Sequence, residues 1–486
     1  MSGLRIAFAT SEVAPFVKTG GLADVSGALP RELARSGHDV RLFAPLYAES
    51  EEAGVGFERE PLIQDVAVRM GDDTYRFSAF RGEPDGGPRL YFIDCPALFH
   101  RDRVYTQDPD EHRRFVLLTR AVLESCQRLQ WAPDVFHVND WQTALLPLYL
   151  KTRYAWDRDL FAAAKTVLTL HNVGYQGTFA SDAVLSDAGL RQDAHLLHQG
   201  DLGRGVVSLL RTGILYADVL TTVSPTYARE IRTAAYGMGL EDLLRARAAT
   251  LVGILNGVDY DEWSPEADAY LPHPYGADSL ERKRDNTRHL LGELRLAWRD
   301  GVPTVGVVSR LTGQKGLELV LEVLPRLLRR RLVRFVLLGS GEPELERRFG
   351  ELERAFPDDV AFYRGFSDEL AHLIEGGADL FLMPSRYEPC GLNQMYSLRY
   401  GTVPVVRNTG GLADSVELYD PDTGAGTGFV FDHFSVAGLA WALTLALRVW
   451  DEPKAWRRLQ LNGMARDFSW ATQAKQYEGL YRQLVS

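Results

Sequence analysis

The chain has 486 residues, 45% hydrophobic and 24% charged, a globular balance that excludes global disorder. At roughly 100–200 residues per domain it predicts more than one domain. Lys and Arg number 54 against 65 Asp and Glu, a net charge of −11. That disfavours a bulk binder of nucleic acid or anionic membrane, yet leaves room for a local basic cleft.

Residues 1–10 carry neither a basic leader nor a long apolar core, so no signal peptide is expected. Apolar runs predict strands at 4–10, 40–44, 90–95, 135–138, 166–171 and 219–223. A second set falls at 305–309, 335–338, 360–363, 380–383, 403–406 and 428–431. Continuous Val, Ile, Leu and Phe mark strands covered on both faces. They alternate with helical patterns at 111–129, 316–330 and 371–375, which implies βαβ units and parallel sheets. The fold class is therefore α/β, with two Rossmann-like, doubly wound halves. Asn256-Gly257, a turn signal, places the join near 253–258. The longest apolar stretch, 436–447, is too short to span a bilayer. Cys95, Cys126 and Cys390 are too few and scattered for a disulfide framework or a zinc cluster. Together these predict a soluble, cytoplasmic protein.

The hexapeptide Thr-Gly-Gly-Leu-Ala-Asp occurs at Thr19–Asp24 and again at Thr409–Asp414, each time opening a predicted helix. It reads either as a chance match or as two glycine loops facing one another across a cleft, since open α/β sheets bind ligands at strand carboxyl ends. The G-x-G-x-x-G, P-loop, G-x-S-x-G and H-E-x-x-H signatures do not occur. A dehydrogenase, P-loop NTPase, serine hydrolase or zincin would lack its usual machinery.

Lys18, Gly20 and Gly21 follow the first strand. Paired glycines let backbone N–H groups approach an anion, with Lys18 adding charge; the alternative is a flexible loop. Arg310 and Lys315 leave one strand end and can reach one diphosphate, or are ordinary surface cations. In Ser385–Gln394, Pro389 stiffens the turn and a helix is predicted to begin near Cys390 or Gly391. There Glu388 can grip sugar hydroxyls or simply stabilise the helix start, and Cys390 is an activated or, more simply, a small packed thiol. Asp140 and His171 end two strands and point to the crevice, or are a capping Asp and a core His. His195 and His198 have no third ligand and read as surface. Phe366 stacks on a base or belongs to the core.

These motifs together resemble the bacterial glycogen synthase and plant starch synthase family, over nearly the whole chain. The resemblance rests on Ser11–Phe16 with Lys18–Asp24, Asp140-Trp141-Gln142, His171-Asn172 with Tyr175-Gln176-Gly177, and Thr222-Val223-Ser224-Pro225. It continues through Asn256-Gly257-Val258-Asp259, Ser309–Gly316, Glu388–Leu392 and Thr409–Asp414. It implies a GT-B fold whose active site lies between two domains, 1–253 with 469–486 and 254–468, the last segment being a terminal helix that crosses back. Hinges would fall near Asn256 and Asp467. By resemblance, Lys18, Gly20 and Gly21 meet the donor, and Arg310 and Lys315 neutralise its diphosphate. Glu388, with Cys390, Gly391, Leu392 and Asn393 and with Thr409 and Gly410, holds the glucosyl unit and distal phosphate. His171, Asp140 and Asn256 surround the sugar and the reaction centre, and Phe366 matches an aromatic position at the nucleobase. The sequence departs from the family at Asn393 (usually Thr), Asn139 (commonly His) and Glu111 (more often Asn or Gln). Tyr396 stands at the second acid of a Glu-x7-Glu pattern.

The resemblance implies retaining transfer of glucose from ADP-glucose to the non-reducing 4-hydroxyl of an α-1,4-glucan, with no metal or other cofactor and no nucleic-acid or membrane partner. No nucleophile–acid pair emerges from the sequence, which favours attack from the leaving-group face. Two other readings stand beside it. One is a metal-dependent sugar transferase using Asp259-Tyr260-Asp261 as a cation site; the other is a catalytically silent glucan-binding protein that keeps the fold.

Overall fold

The computed structural model describes residues 3–48, 50, 62–82 and 87–486. Residues 1–2 of the amino-terminal stretch, and 49, 51–61 and 83–86 of the first predicted domain, lie outside the described residues. The chain divides into two compact units. One takes Met1–Val223, Ala228–Gly257 and Trp470–Ser486; the other takes Ser224–Tyr227 and Val258–Ser469.

In the first unit, in chain order, β1 is Arg5–Ala9, β2 Asp39–Pro45, β3 Ile63–Met70, β4 Asp73–Gly82, β5 Arg89–Asp94, β6 Val135–Asn139 and β7 Lys165–Leu170. There follow β8 (Thr178–Ala180), β9 (Val206–Ser208), β10 (Val219–Thr222) and β11 (Leu251–Gly253). Nine of them form one sheet in the order β11-β10-β7-β6-β1-β2-β5-β4-β3, and β8 pairs with β9 apart from it. From β11 to β5 all pairings are parallel, while β4 and β3 extend the edge as an antiparallel hairpin.

The six predicted runs are all in this sheet, and β3, β4 and β11 add three strands that are not among them. β3 alternates buried and exposed positions, as a strand covered on one face does, so it shows no continuous apolar run. β11 is only three residues long. Helix Gly21–Arg35 buries Leu22, Val25, Ala28, Leu29 and Leu33 at helical spacing. Helix Trp470–Val485 contributes Trp470, Ala474, Tyr477 and Tyr481 to the same core as Ile6, Phe8 and Leu29. Helix Glu111–Arg128 covers the sequence pattern almost end to end.

The second unit holds β12 (Thr304–Val308), β13 (Arg334–Gly339), β14 (Val360–Arg364), β15 (Leu380–Met383), β16 (Val403–Arg407) and β17 (Phe429–Phe431). They form one all-parallel sheet ordered β14-β13-β12-β15-β16-β17. Helix Leu317–Arg329 buries seven residues, among them Leu317, Val320 and Leu324, against this sheet's core. The predicted helix at 371–375 is the middle of Asp368–Gly377. The helix expected near Cys390 or Gly391 starts instead at Asn393. Gly391 has φ +70°, outside the right-handed range of helical residues, and the helix forms only beyond it. Among the described residues no helix is long and apolar enough to cross a membrane.

In each sheet the strand order turns back on itself, between β1 and β6 in the first and between β12 and β15 in the second. Loops leaving the carboxyl ends at such a reversal diverge and leave a crevice.

Candidate active site

In the first unit β7, β6 and β1 are adjacent and parallel, so the residues that follow them share one edge. After β1, the Glu12 carboxylate accepts from Thr19 N (2.6 Å), Thr19 Oγ1 (2.8 Å), Gly20 N (3.2 Å) and the Tyr105 hydroxyl (2.5 Å). It thereby fixes the loop carrying Lys18, Gly20 and Gly21. Lys18 pairs with Asp24 at 2.7 Å, one turn into the helix that Gly21 opens. Gly20 is extended, with φ −164°, and a Cβ there would meet nothing within 4 Å, so this glycine leaves one side of the loop open.

After β6, Asp140 takes φ +50°, a left-handed conformation that a non-glycine residue holds only when its surroundings over-determine it. Its carboxylate accepts from the backbone N–H of His171 at 2.7 Å. Burial pushes the Asp140 acid up to about 7, against the opposing hydrogen bonds from the His171 and Asn172 amides. Burial holds the His171 ring down at about 3, hence neutral. His171 Nε2 lies 2.9 Å from Asn139 Oδ1. Asn256 is buried, and its Oδ1 has no hydrogen-bond partner among the described residues.

In the second unit β12, β15 and β16 are adjacent and parallel. Lys315, on the loop after β12, donates to Glu388 Oε2 at 2.7 Å, and Ser385 Oγ donates to the same oxygen at 2.9 Å. Glu388 is 5% exposed. Arg386 N donates to Gln314 O at 2.8 Å, which joins the two loops. Gly411 N donates to Glu388 O and Pro389 O, so the second hexapeptide lies directly on the Glu388 turn. Gly410 has φ +45°, and a Cβ there would stand 1.8 Å from Glu388 O. Thr409 is fully buried and precedes helix Gly410–Ser415. Cys390 is buried, as a packed thiol would be. Asn393 donates to Val308 O at 3.0 Å, tying its helix to the end of β12. Gly391 and Leu392 lie half-buried between them. The unit thus brings together Lys315, Glu388, Cys390, Gly391, Leu392, Asn393, Thr409 and Gly410.

Arg310 is exposed on the loop after β12. Phe366 is 71% exposed, which removes its reading as core and keeps its ring open for stacking. Sequence reasoning gave no role to Glu12, Ser385 or Asp414. Asp414 accepts from Thr226 N (2.7 Å) and Oγ1 (2.6 Å). Glu12 was visible only as one letter of Ser11–Phe16, and Asp414 only as the last letter of the repeat. Glu111, the departure from the family, is a buried carboxylate accepting from Thr106 and Arg114. His195 is exposed, and His198 accepts from Asp201 N. Asp259 Oδ1 accepts from Asp261 N at 3.1 Å, so this acid caps its own turn. Among the described residues no cluster of three or more His, Cys, Asp or Glu could hold a metal ion.

An ammonium and a carboxylate side by side at a sheet's reversal can divide one substrate, the cation meeting phosphate and the carboxylate meeting hydroxyls. Residues 5–246 match the family model "Starch synthase catalytic domain", and residues 295–459 match "Glycosyl transferases group 1". A glycogen synthase of Koribacter versatilis is 46% identical over 485 residues, 99% of this chain and 98% of that protein. One from Myxococcus xanthus is 44% identical over 99% of this chain and 100% of its own. Among solved structures, the catalytic domain of starch synthase IV from Arabidopsis thaliana, bound to ADP and acarbose, superposes with a TM-score of 0.90. It is 35% identical, with both chains fully covered. A sucrose-phosphate synthase from Thermosynechococcus elongatus, 18% identical with a TM-score of 0.60 over 99% of each chain, shares the fold alone. The chain belongs to the glycogen synthase and starch synthase family, and it is a glycosyltransferase of the GT-B fold.

Proposed function

We propose that the enzyme transfers glucose from ADP-glucose to the non-reducing 4-hydroxyl of an α-1,4-glucan, with retention at the anomeric carbon and release of ADP. We place this activity in the cytoplasm, in keeping with its bacterial relatives. The observation that carries the reading is the Lys315–Glu388 pair, closed by Ser385 and overlain by the Thr409–Gly411 backbone. The starch synthase relative with ADP and acarbose bound supports the substrate classes.

Breaking the anomeric C–O bond leaves positive charge on the sugar and negative charge on the departing diphosphate. Lys315 has two ammonium hydrogens beyond the one given to Glu388, and with Arg310 it meets the diphosphate. Glu388 and the Cys390–Asn393 loop hold the glucosyl unit, and Thr409 and Gly410 border the distal phosphate. The family resemblance assigns Lys18, Gly20, Gly21, Asn256, Asp140 and His171 to the donor and sugar, and Phe366 to the base. The acceptor's O4 attacks from the face the diphosphate leaves. A C1–O4 bond forms as the C1–O phosphate bond breaks, and the O4 proton passes to the departing phosphate oxygen. Glu388 positions substrate and is not the nucleophile, and the step uses no metal.

A transfer assay in EDTA tests this. Chain extension is expected to persist, and Lys315→Ala and Glu388→Ala each to lose at least ~100-fold, the scale of one charge-stabilising group. Activity abolished by EDTA and restored by manganese would favour the metal-dependent reading instead. Glucan binding without ADP binding would favour a silent binding protein.

A further inference from the structure

Asn139 ends β6 and is completely buried. Its backbone is locked to Thr143, whose Oγ1 accepts from Asn139 N at 2.7 Å and donates to Asn139 O at 2.9 Å. Its side-chain amide bridges two strands, with Nδ2 2.9 Å from the Ala9 carbonyl at the end of β1 and Oδ1 2.9 Å from His171 Nε2. A backbone carbonyl carries no hydrogen, so it can face only the NH2 end of the amide. That choice puts the amide oxygen against His171, and an oxygen there requires a hydrogen on Nε2. A neutral imidazole has one hydrogen, so Nδ1 keeps its lone pair.

We propose that Asn139 is a positioning residue that sets the tautomer of His171, holding the hydrogen on Nε2 and presenting Nδ1 as an acceptor for a substrate hydroxyl. The chain of constraint runs from the Ala9 carbonyl through the Asn139 amide to the ring. At the other end of the residue, the His171 backbone N–H is held by Asp140 Oδ1 at 2.7 Å, so both the ring hydrogen and the main chain are fixed. The substrate half of this inference rests on the proposed transfer reaction; the tautomer half rests on the hydrogen-bond network alone.

The test uses the full chain labelled with 15N-histidine, with His171→Gln serving only to assign the resonance. In the wild type, Nε2 is expected at a protonated and Nδ1 at an unprotonated shift at pH 7.5. Asn139→Leu, close in size but without an acceptor, should mix or invert that pattern and lower kcat by ~10- to 100-fold, the scale of one buried hydrogen bond left unmade, with ADP affinity by calorimetry unchanged. Asn139→Asp, which keeps an oxygen facing the ring, should retain the Nε2 hydrogen. A wild-type spectrum with the hydrogen on Nδ1 would overturn the proposal without any variant. So would Asn139→Leu keeping both the wild-type pattern and wild-type kcat. The predicted tautomer in a protein with no transfer activity would support the assignment of the hydrogen and sink the functional reading instead.

Discussion

Glu12 is one carboxylate serving four donors on two separate segments, Thr19-Gly20 and Tyr105. Glu12→Gln keeps an amide oxygen for the Thr19 and Gly20 N–H groups but puts an NH2 where the Thr19 and Tyr105 hydroxyls now find an acceptor. It is expected to cost about 1–3 kcal/mol, read as a lower urea midpoint, whereas Tyr105→Phe removes the hydroxyl's bonds to Glu12 and to Ser11 Oγ and should cost about 1–2 kcal/mol. Nothing local in the sequence reveals this role, because the amides that Glu12 meets come from a turn the sequence pattern does not specify. His137 is similarly invisible, a polar residue inside an apolar strand. Its ring spans the Tyr481 hydroxyl and Thr169 Oγ1, both at 2.6 Å. Burial, reinforced by His171, lowers it from 6.5 to about 3. Between those values the unfolded chain binds a proton that the folded chain does not. Its contribution to stability is therefore complete above pH 6.5 and is lost as pH falls toward 3. Comparing urea unfolding at pH 7 and pH 5, the acid-induced loss should be smaller in His137→Gln than in wild type by about 2 kcal/mol. An equal loss in both would show that the ring is not held neutral.

At the scale of elements, the two copies of Thr-Gly-Gly-Leu-Ala-Asp are the same letters under different constraints. The first opens a helix of 15 residues, with room beside Gly20 and with Asp24 paired to Lys18. The second opens a helix of six, with Gly410 and Gly411 pressed on the Glu388–Cys390 backbone and Asp414 bound to Thr226. Gly20→Ala is expected to cost less than about 1 kcal/mol. Gly410→Ala, forced into backbone oxygen at positive φ, should cost roughly 3 kcal/mol or more, and calorimetric melting separates the two. The same contrast explains what was legible. All six strands of the second sheet stand where continuous apolar runs put them, because both faces are covered. The β3–β4 hairpin escaped because its side chains alternate with one exposed face. The helix after Glu388 starts two or three residues later than its sequence pattern predicts, because a left-handed Gly391 leaves no mark in composition.

For the molecule as a whole, each unit gathers its polar residues at the carboxyl edge of a parallel sheet, beside the point where strand order reverses. That much followed from periodicity and motif position. Which residues bond to which did not, since Lys315 and Glu388 are 73 residues apart and Asn139 and His171 are 32 apart. Donor choice is a whole-molecule property: with ADP-glucose and UDP-glucose in competition, glucose is expected to come predominantly from ADP-glucose. The central claim is that the diphosphate is received at Lys315 and Arg310 beside Glu388, and a crystal of the protein with ADP bound tests it most directly. The account predicts distal phosphate oxygens within about 3 Å of Lys315 Nζ, with the Arg310 guanidinium turned toward them. ADP ordered elsewhere, with the Lys315–Glu388 pair untouched, would contradict it.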